Sequence, residues 1–168
     1  MSTIDIEDIF YMRQALKLAR QAAAEDEAPV GALLVADGRI VGRGYNRREG
    51  GRDATLHAEM IAIRAACATL GGWRLPHSTM YVTLEPCPMC AGALVQSRVE
   101  RLVYAAADPK AGAAGTLLDI VRCPGLNHHL EVKGGVLEQE ASALLSEFFA
   151  TKRKFSQKKE SNHERVGD

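Results

Sequence analysis

The sequence predicts an α/β fold in which a mixed sheet is covered by helices on both faces. Segments with apolar residues at helical spacing alternate along the chain with short runs rich in β-branched and aromatic residues. Near the start of the chain, two strand-like runs flank Asp37 and Gly38, a pair typical of a tight hairpin turn. Because a hairpin joins antiparallel strands, the predicted sheet is mixed rather than purely parallel.

The first half of the chain predicts a helix, a hairpin and a second helix. Residues 5–25 carry apolar side chains at roughly helical spacing, and Pro29 ends that segment. The hairpin occupies residues 30–45, and the polar, glycine-containing residues 46–56 form a loop. Residues 57–70 then present an apolar face at helical periodicity.

The second half of the chain predicts further strands and helices in alternation. Residues 79–85 and 101–107 have strand-like composition, and residues 87–97 between them predict a helix. The remaining predicted elements are a short helix at 117–121, a short strand within 130–137 and a final amphipathic helix at 138–154.

Length and composition are typical of one globular domain. The chain has 168 residues, of which 46% are hydrophobic and 25% charged. No apolar run approaches the ~20 residues that a membrane helix needs. The N-terminal residues lack a basic region followed by an apolar core, so no signal peptide is predicted and a cytoplasmic location is expected.

Charge is distributed unevenly although the net charge is zero. Residues 1–150 carry 15 Lys or Arg and 18 Asp or Glu, whereas residues 151–168 carry six and three. A basic chain end is compatible with an RNA partner, but charge alone favours a solvated terminus. We predict a folded domain over residues 1–155 and a polar, basic, disordered tail over residues 156–168.

Four cysteines are present, and two of them form a close pair. In a cytosolic chain, cysteines are expected to be thiols or metal ligands rather than disulfides. Cys67 lies in an apolar helical run, which predicts a core position for it. Cys123 is interpreted as a structural residue. Cys87 and Cys90 have the Cys-x-x-Cys spacing that lets one metal ion bind both sulfur atoms.

The Cys-x-x-Cys pair is predicted at the junction of a strand and a helix. Pro88 suits the first turn of that helix, where its missing N–H leaves no bond unmade. Both sulfurs then lie at a helix N-terminus, whose positive dipole end favours thiolates. His57 opens the other predicted helix, so side-by-side packing of the two helices would bring His57, Cys87 and Cys90 together.

Three protein ligands favour a catalytic zinc over a structural one. Structural zinc sites fill all four positions with Cys or His, whereas catalytic sites leave one position for water. Cys67 is predicted about three helical turns from His57, and Cys123 lies in a distant loop. His128 and His129 follow no ligand spacing. An open site is therefore predicted.

Glu59 follows His57 by two residues and points in a different direction on the helix. Its carboxylate can face a zinc-bound water, accept a proton from it and pass the proton to a substrate. The alternative interpretation is an acidic residue in the first helical turn that is favoured by the helix dipole.

A His-Ala-Glu sequence followed by Pro-Cys-x-x-Cys resembles the signature of the zinc-dependent cytidine and adenosine deaminases. That resemblance implies a three-layer α/β/α sandwich around a central mixed five-stranded sheet. Over roughly residues 6–155 the sequence is similar to bacterial tRNA adenosine deaminases. The segments that carry the similarity are APVGALLV, GYNR, HAEM, residues 80–93, DPKAGAAGTLLDI and EASALLSEFF.

The resemblance implies a reaction, a cofactor and partners. The family converts the wobble adenosine of an arginine tRNA anticodon to inosine and works as a homodimer with one zinc ion per subunit. His57, Cys87 and Cys90 match the zinc ligands of the family, and Glu59 matches its proton shuttle.

The resemblance also implies seven substrate contacts. Asn46 matches the residue that contacts the flipped nucleotide. The others match the wall around the base, a loop that touches the anticodon backbone, and an aromatic near the flanking bases: Val30, Ala58 and Leu84; Asp108 and Lys110; and Phe149. As alternatives, Val30 and Leu84 would be buried in any related fold, and Asp108 could cap a turn.

Two positions depart from the family pattern. Ala54 stands where the family often has proline, and Ala107 stands where it often has arginine. The first change bears on the stiffness of the loop before His57, and the second removes one possible RNA contact.

Two other functions remain open from the sequence. A deaminase of a free base or nucleoside, of the guanine or cytosine type, would share every zinc residue. A zinc-stabilised RNA-binding module without activity would need neither Glu59 nor an open fourth ligand position. The loop at residues 108–115 and the basic final helix favour an RNA substrate.

Overall fold

A computed structural model describes residues 3–164 of the chain. Its elements in order are α1 (Thr3–Ala24), β1 (Gly31–Ala36), β2 (Arg39–Tyr45), α2 (Arg48–Gly51), α3 (Ala58–Leu70), β3 (Ser78–Leu84), α4 (Pro88–Gln96), β4 (Arg101–Ala106), β5 (Glu131–Lys133) and α5 (Glu138–Glu164). None of the helices in this part of the chain combines the length and apolar character needed to cross a membrane.

The five strands form one mixed sheet, as predicted, in the order β2-β1-β3-β4-β5. β1 is antiparallel to both of its neighbours, whereas β3, β4 and β5 are mutually parallel. Strand β1 therefore begins at the edge where β2, β3 and β4 end, which we call the carboxyl edge. The register confirms this, since Gly31 pairs with Tyr45 and Leu84 with Ala106.

The predicted hairpin turn is confirmed at Asp37 and Gly38. Both residues have positive φ, at 50° and 71°. A two-residue turn of this kind matches the right-handed twist of the strands that it joins. The turn lies at the opposite end of the sheet from the carboxyl edge.

Helices cover both faces of the sheet, which confirms the three-layer architecture. One core cluster joins α1 and α5 to inward-facing residues such as Leu33, Tyr81 and Val103. A second cluster joins α3 and α4 to the other face, through residues such as Leu34 and Met80. Strand β1 is buried on both faces, so its sequence is almost continuously apolar.

Two glycines in β2 let α3 lie directly on the strand. A Cβ atom on Gly42 would lie 2.2 Å from the Ala62 carbonyl oxygen, and one on Gly44 would lie 2.3 Å from that of Ala58. Both separations are too short for non-bonded atoms, so only glycine allows this approach. Since Ala58 begins α3, Gly44 fixes the start of that helix relative to the sheet.

A buried carboxylate ties α1 to three strands at the end of the sheet opposite the carboxyl edge. Asp8 is 1% exposed and accepts two hydrogen bonds from the Arg101 guanidinium, at 2.7 and 2.9 Å. Lys133 Nζ and the Tyr81 hydroxyl donate further bonds, at 3.0 and 2.9 Å. Burial alone would raise the pKa of Asp8, but these donors outweigh it and lower that pKa.

The predicted short helix at 117–121 is wrong. This segment is an irregular loop in which Ala114 and Asp119 form an isolated bridge and Gly115 donates to the Leu118 carbonyl at 2.9 Å. Gly115 adopts a φ of 127°, outside the helical region. The N–H groups of Leu118 and Ile120 bond to the carbonyls of Gly112 and Ala113, so irregular bonds within the loop override the local apolar pattern of this segment.

Helix α2 was not predicted, because two of its four residues are glycines and glycine weakens helices. Its first turn is instead stabilised by a distant residue. The buried Glu27 carboxylate accepts the backbone N–H groups of Glu49 and Gly50, at 3.2 and 2.7 Å.

Helix α5 extends further than predicted, since it continues to Glu164 rather than ending near residue 154. Residues 156–164, which we expected to be disordered, are helical, and residues 151–161 are exposed. Lys, Gln and Glu are good helix formers, and the packed first half of α5 supplies the costly nucleus. The last four residues of the expected tail lie outside the described residues, and the division of the chain at residue 155 stays a prediction.

We predict that Asp8→Asn lowers the free energy of unfolding at pH 7 by roughly 3 kcal/mol, because it removes the buried anion of an ion-pair network and leaves two partly buried cations without it. The pKa of Asp8 in the folded protein lies below the ordinary value of 3.8. Its contribution is therefore complete above about pH 4 and is lost as the pH falls through the folded pKa. Chemical denaturation of both proteins between pH 3 and 7 should show their difference shrinking at the acidic end.

The matched control is Asp119→Asn. Asp119 pairs with Arg122 at 2.9 Å, but both side chains are exposed, so the change should cost less than about 1 kcal/mol. Equal effects of the two variants would contradict a special role for the buried carboxylate.

Candidate active site

The three predicted metal ligands lie at the starts of two helices at the carboxyl edge. His57 is the N-cap of α3 and Cys87 the N-cap of α4, and both have extended backbone conformations. Pro88 occupies the first turn of α4, as predicted, and Cys90 follows it in the same turn. The two helices pack side by side on one face of the sheet, so their N-termini meet.

The geometry of this cluster fits a zinc ion. His57 Nδ1 lies 3.6 Å from Cys87 Sγ and 3.6 Å from Cys90 Sγ, and all three donor atoms lie within 4.8 Å of one another. A tetrahedral ion with bonds of about 2.1 Å to nitrogen and 2.3 Å to sulfur requires nitrogen–sulfur separations of about 3.6 Å. Soft thiolates combined with imidazole are also the donors that zinc prefers.

No fourth protein ligand joins the cluster within residues 3–164. The Cys67 thiol lies 3.9 Å from the Trp73 carbonyl oxygen, at the other end of α3. The imidazole groups of His128 and His129 bond to backbone carbonyls, at 2.7 and 2.8 Å. The cluster therefore has the three-ligand composition of a catalytic site.

The pKa values of the two thiols in the cluster are shifted in opposite directions. A hydrogen bond from Cys90, helped by His57, lowers the pKa of Cys87 to about 4. Pairing with Cys87 raises the pKa of the Cys90 thiol, and burial adds to this. Cys87 is thus a thiolate at neutral pH, and the proton on Cys90 is the one that a bound metal ion would displace.

Glu59 lies in the first turn of α3 with its side chain only 4% exposed. Burial raises the pKa of its carboxyl group to about 7, and the carboxyl contacts the Cys90 thiol. A surface acid stabilised by the helix dipole would not show this shift. A carboxyl group with a pKa near 7 can both accept and donate a proton at neutral pH.

Four residues that the sequence assigned to the base pocket surround the carboxyl edge. Ala58 is buried at the start of α3, and Val30 and Leu84 are half-buried at the edge itself. Asn46 is buried just after β2, where its Nδ2 donates to the Ala28 carbonyl at 3.4 Å and its Oδ1 accepts the Arg48 N–H at 3.4 Å. The partial exposure of Val30 and Leu84 leaves surface free for a ligand.

Asp108 and Lys110 follow β4 at the same edge. Asp108 Oδ1 accepts the N–H groups of Lys110 and Ala111, at 2.9 and 3.2 Å, so this side chain does cap a turn. The Lys110 side chain is exposed. Ala107, where the sequence departs from the family pattern, is also exposed.

The remaining predicted site residue lies in the other helical layer. Phe149 is on α5 and is 45% exposed, with its ring 5.4 Å from that of Phe148 in an edge-to-face arrangement. Helix α5 covers the face opposite to α3 and α4. Ala54, the second departure, is exposed in the loop before His57.

Two buried glutamates beside the site were not identified from the sequence. Glu27 organises the loop that contains α2, and Glu85 accepts bonds from the loop that follows β4. The available signal for Glu85 was its position, since an acid directly before Pro86 and Cys87 ends an otherwise uncharged strand.

Comparison with known proteins identifies the family. The profile of the cytidine and deoxycytidylate deaminase zinc-binding region matches residues 5–106, a span that includes His57, Glu59, Cys87 and Cys90. The chain belongs to this deaminase family. Because the matched region is a zinc-binding one and the three donor atoms have the separations that zinc requires, His57, Cys87 and Cys90 form a zinc site.

Curated relatives match over most of their length. The tRNA-specific adenosine deaminase of Bacillus subtilis (strain 168) is 50% identical over 148 residues, which cover 88% of this chain and 92% of that protein. The tRNA-specific adenosine deaminase of Agrobacterium fabrum (strain C58) is 46% identical and matches 85% of this chain and 94% of its own length.

Solved structures of the family have the same fold. One comes from biochemical and structural studies of A-to-I editing by tRNA:A34 deaminases at the wobble position of transfer RNA. It is 45% identical, has a TM-score of 0.78 and covers 81% of this chain and 99% of that one. A guanine deaminase from Nitrosomonas europaea is 30% identical, with a TM-score of 0.72 and coverages of 83% and 82%.

We predict that Cys87→Ala abolishes stoichiometric zinc binding, because it removes the donor that is a thiolate before metal arrives. Metal analysis of the purified proteins should show about one zinc per wild-type chain. Cys67→Ala is the control and should retain zinc, since Cys67 lies outside the cluster. Full zinc occupancy in Cys87→Ala would refute the ligand assignment.

Proposed function

We propose that the chain is a hydrolytic deaminase that converts adenosine to inosine at the wobble position of a tRNA anticodon. The observation that carries this proposal is the similarity to tRNA-specific adenosine deaminases, at 50% identity over nearly the whole of both chains. A site with three zinc donors and a buried glutamate beside them supports the same chemistry.

His57, Cys87 and Cys90 would hold the zinc ion, which would supply the Lewis acidity that lowers the pKa of a water molecule at the site towards neutrality. Glu59 accepts one proton from the attacking water and gives it to a ring nitrogen of the purine, while the water oxygen bonds to carbon 6. Glu59 then takes the second proton from the new hydroxyl group and gives it to the amine, so that the carbon–nitrogen bond breaks and a carbonyl forms at carbon 6. Its burial and its pKa of about 7 suit both steps, because the carboxyl must be a base first and an acid afterwards. The amine leaves as ammonia, and inosine remains.

The residues around the carboxyl edge bind the substrate in this proposal. Asn46 contacts the flipped nucleotide, and the wall around the base is formed by Val30, Ala58 and Leu84. An anticodon loop presents unstacked bases, so the adenine enters without opening a duplex. Asp108 and Lys110 touch the anticodon backbone, and Phe149 lies near the flanking bases.

Finer features of the proposal rest on the sequence resemblance. They are an arginine tRNA as substrate, a homodimeric assembly with one zinc per subunit, a cytoplasmic location and a catalytic domain over residues 1–155. The basic residues of α5 support an RNA partner, because phosphate contacts dominate the affinity of proteins for nucleic acids.

A free-base deaminase is the second candidate, favoured by the similarity to a guanine deaminase at 30% identity and a TM-score of 0.72. To decide between the two candidates, the purified protein is incubated separately with an anticodon stem-loop that contains a wobble adenosine, with free adenosine, with cytidine and with guanine. Inosine in the stem-loop alone supports the proposal. Release of ammonia from a free base or nucleoside alone would replace it with the alternative.

We predict that Glu59→Ala keeps zinc and the fold but loses turnover by roughly 10²–10⁴-fold, which is the range for removal of a general acid or base. Single-turnover deamination of the stem-loop and metal analysis measure the two properties separately. Glu100→Ala is the control, since Glu100 is exposed and lies at the far end of β4. Near-normal turnover of Glu59→Ala would mean that another group moves the protons.

We predict that Lys110→Ala weakens stem-loop binding and lowers its salt dependence. Each lost phosphate contact reduces the slope of log K against log salt by roughly 0.7–0.9. Turnover at saturating stem-loop should change less than affinity. Arg39→Ala is the control, because Arg39 is exposed at the end of the sheet opposite the carboxyl edge.

A second variant tests α5 by replacing Lys152, Arg153 and Lys154 with alanine. Lys152 is bonded to Asp26 at 2.8 Å, so any phosphate contact of Lys152 competes with that pair. Unchanged affinity at low salt in both this variant and Lys110→Ala would remove the RNA contacts from the proposal and favour a free-base substrate.

A further inference from the structure

We propose that Glu85 is a positioning residue that holds the loop of residues 107–118, here called the edge loop, in register with the metal centre. The functional part of this inference rests on the proposed tRNA substrate, because the edge loop carries Asp108 and Lys110. The structural part rests on contacts within the chain alone.

The Glu85 carboxylate is the hydrogen-bond centre of the edge loop. It is buried, with 2% of the residue exposed. Its Oε2 accepts the backbone N–H of Asp108 at 3.0 Å, and its Oε1 accepts those of Ala114 and Thr116, at 3.1 and 3.0 Å. These three bonds come from positions at both ends of the loop, so one side chain fixes the path of the whole segment.

Two further contacts hold the edge loop close to Glu85 and Pro86. A Cβ atom on Gly112 would lie 2.3 Å from Glu85 Oε2 and 2.5 Å from the Asp108 carbonyl oxygen, so the loop closes around the carboxylate without space for a side chain. The Ala113 N–H donates to the Pro86 carbonyl at 2.8 Å. The edge loop is thereby bonded to two successive residues that lead directly into Cys87.

The carboxylate is held as an anion. Three backbone N–H groups, those of Asp108, Ala114 and Thr116, point at the carboxylate oxygens, and such donors favour the ionised form of a carboxyl group. The bonds thus join a charged acceptor to neutral donors, which makes them stronger than ordinary backbone bonds. They also occupy N–H groups that would otherwise be available to an anion such as a phosphate.

This arrangement couples two parts of the site that must act on the same substrate. The backbone of Glu85 leads through Pro86 to the zinc ligand Cys87, while its side chain holds the loop that carries Lys110. An RNA substrate must place its base at the metal and its backbone on the loop at the same time. A displaced edge loop would no longer match the RNA backbone while the base occupies the metal centre, so the substrate would bind more weakly.

Glu85→Gln is the most direct test, because it preserves size but replaces one acceptor oxygen with an amide that repels the loop N–H groups. We expect KM for the anticodon stem-loop to rise about tenfold while kcat changes by less than about threefold, the pattern of lost substrate binding. Zinc content should stay at the wild-type value. Amide hydrogen exchange should accelerate at Asp108, Ala114 and Thr116.

Asp8→Asn is the matched control, since Asp8 is an equally buried carboxylate at the opposite end of the sheet. If the role of Glu85 were merely structural, Glu85→Gln and Asp8→Asn would behave alike. Both would show a lower active fraction, an unchanged KM and no increase in amide hydrogen exchange at the edge loop. That result, or wild-type KM and exchange in Glu85→Gln, would overturn the proposal.

Glu85→Ala provides a rescue test, because it leaves three converging N–H groups and the space of a carboxylate. Added formate or acetate should slow exchange at the three amides and lower KM, whereas equal chloride should not. Absence of rescue in a folded, zinc-loaded variant would count against the proposal. Wild-type protein that makes no inosine in the stem-loop would refute the proposed function, while the exchange measurements would still decide the role of Glu85.

Discussion

The active site depends on the close approach of two helix N-termini at one edge of the sheet. His57 and Cys87 are both N-cap residues, so the position of each donor is fixed by the start of its helix. Helix α4 begins where β3 ends, and α3 lies on β2 at a distance that only glycine at position 44 permits. A shift of either helix would separate the His57 nitrogen from the two sulfurs, each of which lies 3.6 Å from it.

Four buried carboxylates illustrate how environment gives one functional group different tasks. Asp8 is neutralised by Arg101 and Lys133 and serves stability. Glu27 and Glu85 are stabilised by backbone N–H groups and organise loops on either side of the site. Glu59 contacts a thiol rather than a cation, so burial dominates and its pKa rises to about 7. That difference separates the residue suited to proton transfer from the three that hold structure.

The zinc site and the surrounding loops determine different aspects of function: the first the chemistry and the second the choice of substrate. The zinc donors and Glu59 suit deamination of any heterocyclic amine, and the guanine deaminase that shares this fold acts on a different base. Discrimination between substrates must therefore reside in the segments around the carboxyl edge. Those segments include the edge loop anchored by Glu85 and the α2 loop anchored by Glu27, which lie on opposite sides of the metal donors.

The sequence by itself determined the features that depend on local chemistry. The hairpin follows from Asp37 and Gly38, the helix starts follow from Pro88 and the motif spacing, and the zinc donors follow from residue type. Tertiary structure alone decided the short helix α2, the irregular segment at 117–121 and the buried roles of Asp8 and Glu85. For α2, Asp8 and Glu85 the deciding bonds join residues far apart in sequence, as when Asp8 meets Arg101 or Glu85 meets Thr116. The segment at 117–121 instead bonds to the carbonyls of Gly112 and Ala113 in the same loop. Periodicity reports only which neighbours along the chain share a face, so it cannot reveal a backbone N–H that is satisfied by a carboxylate from another element.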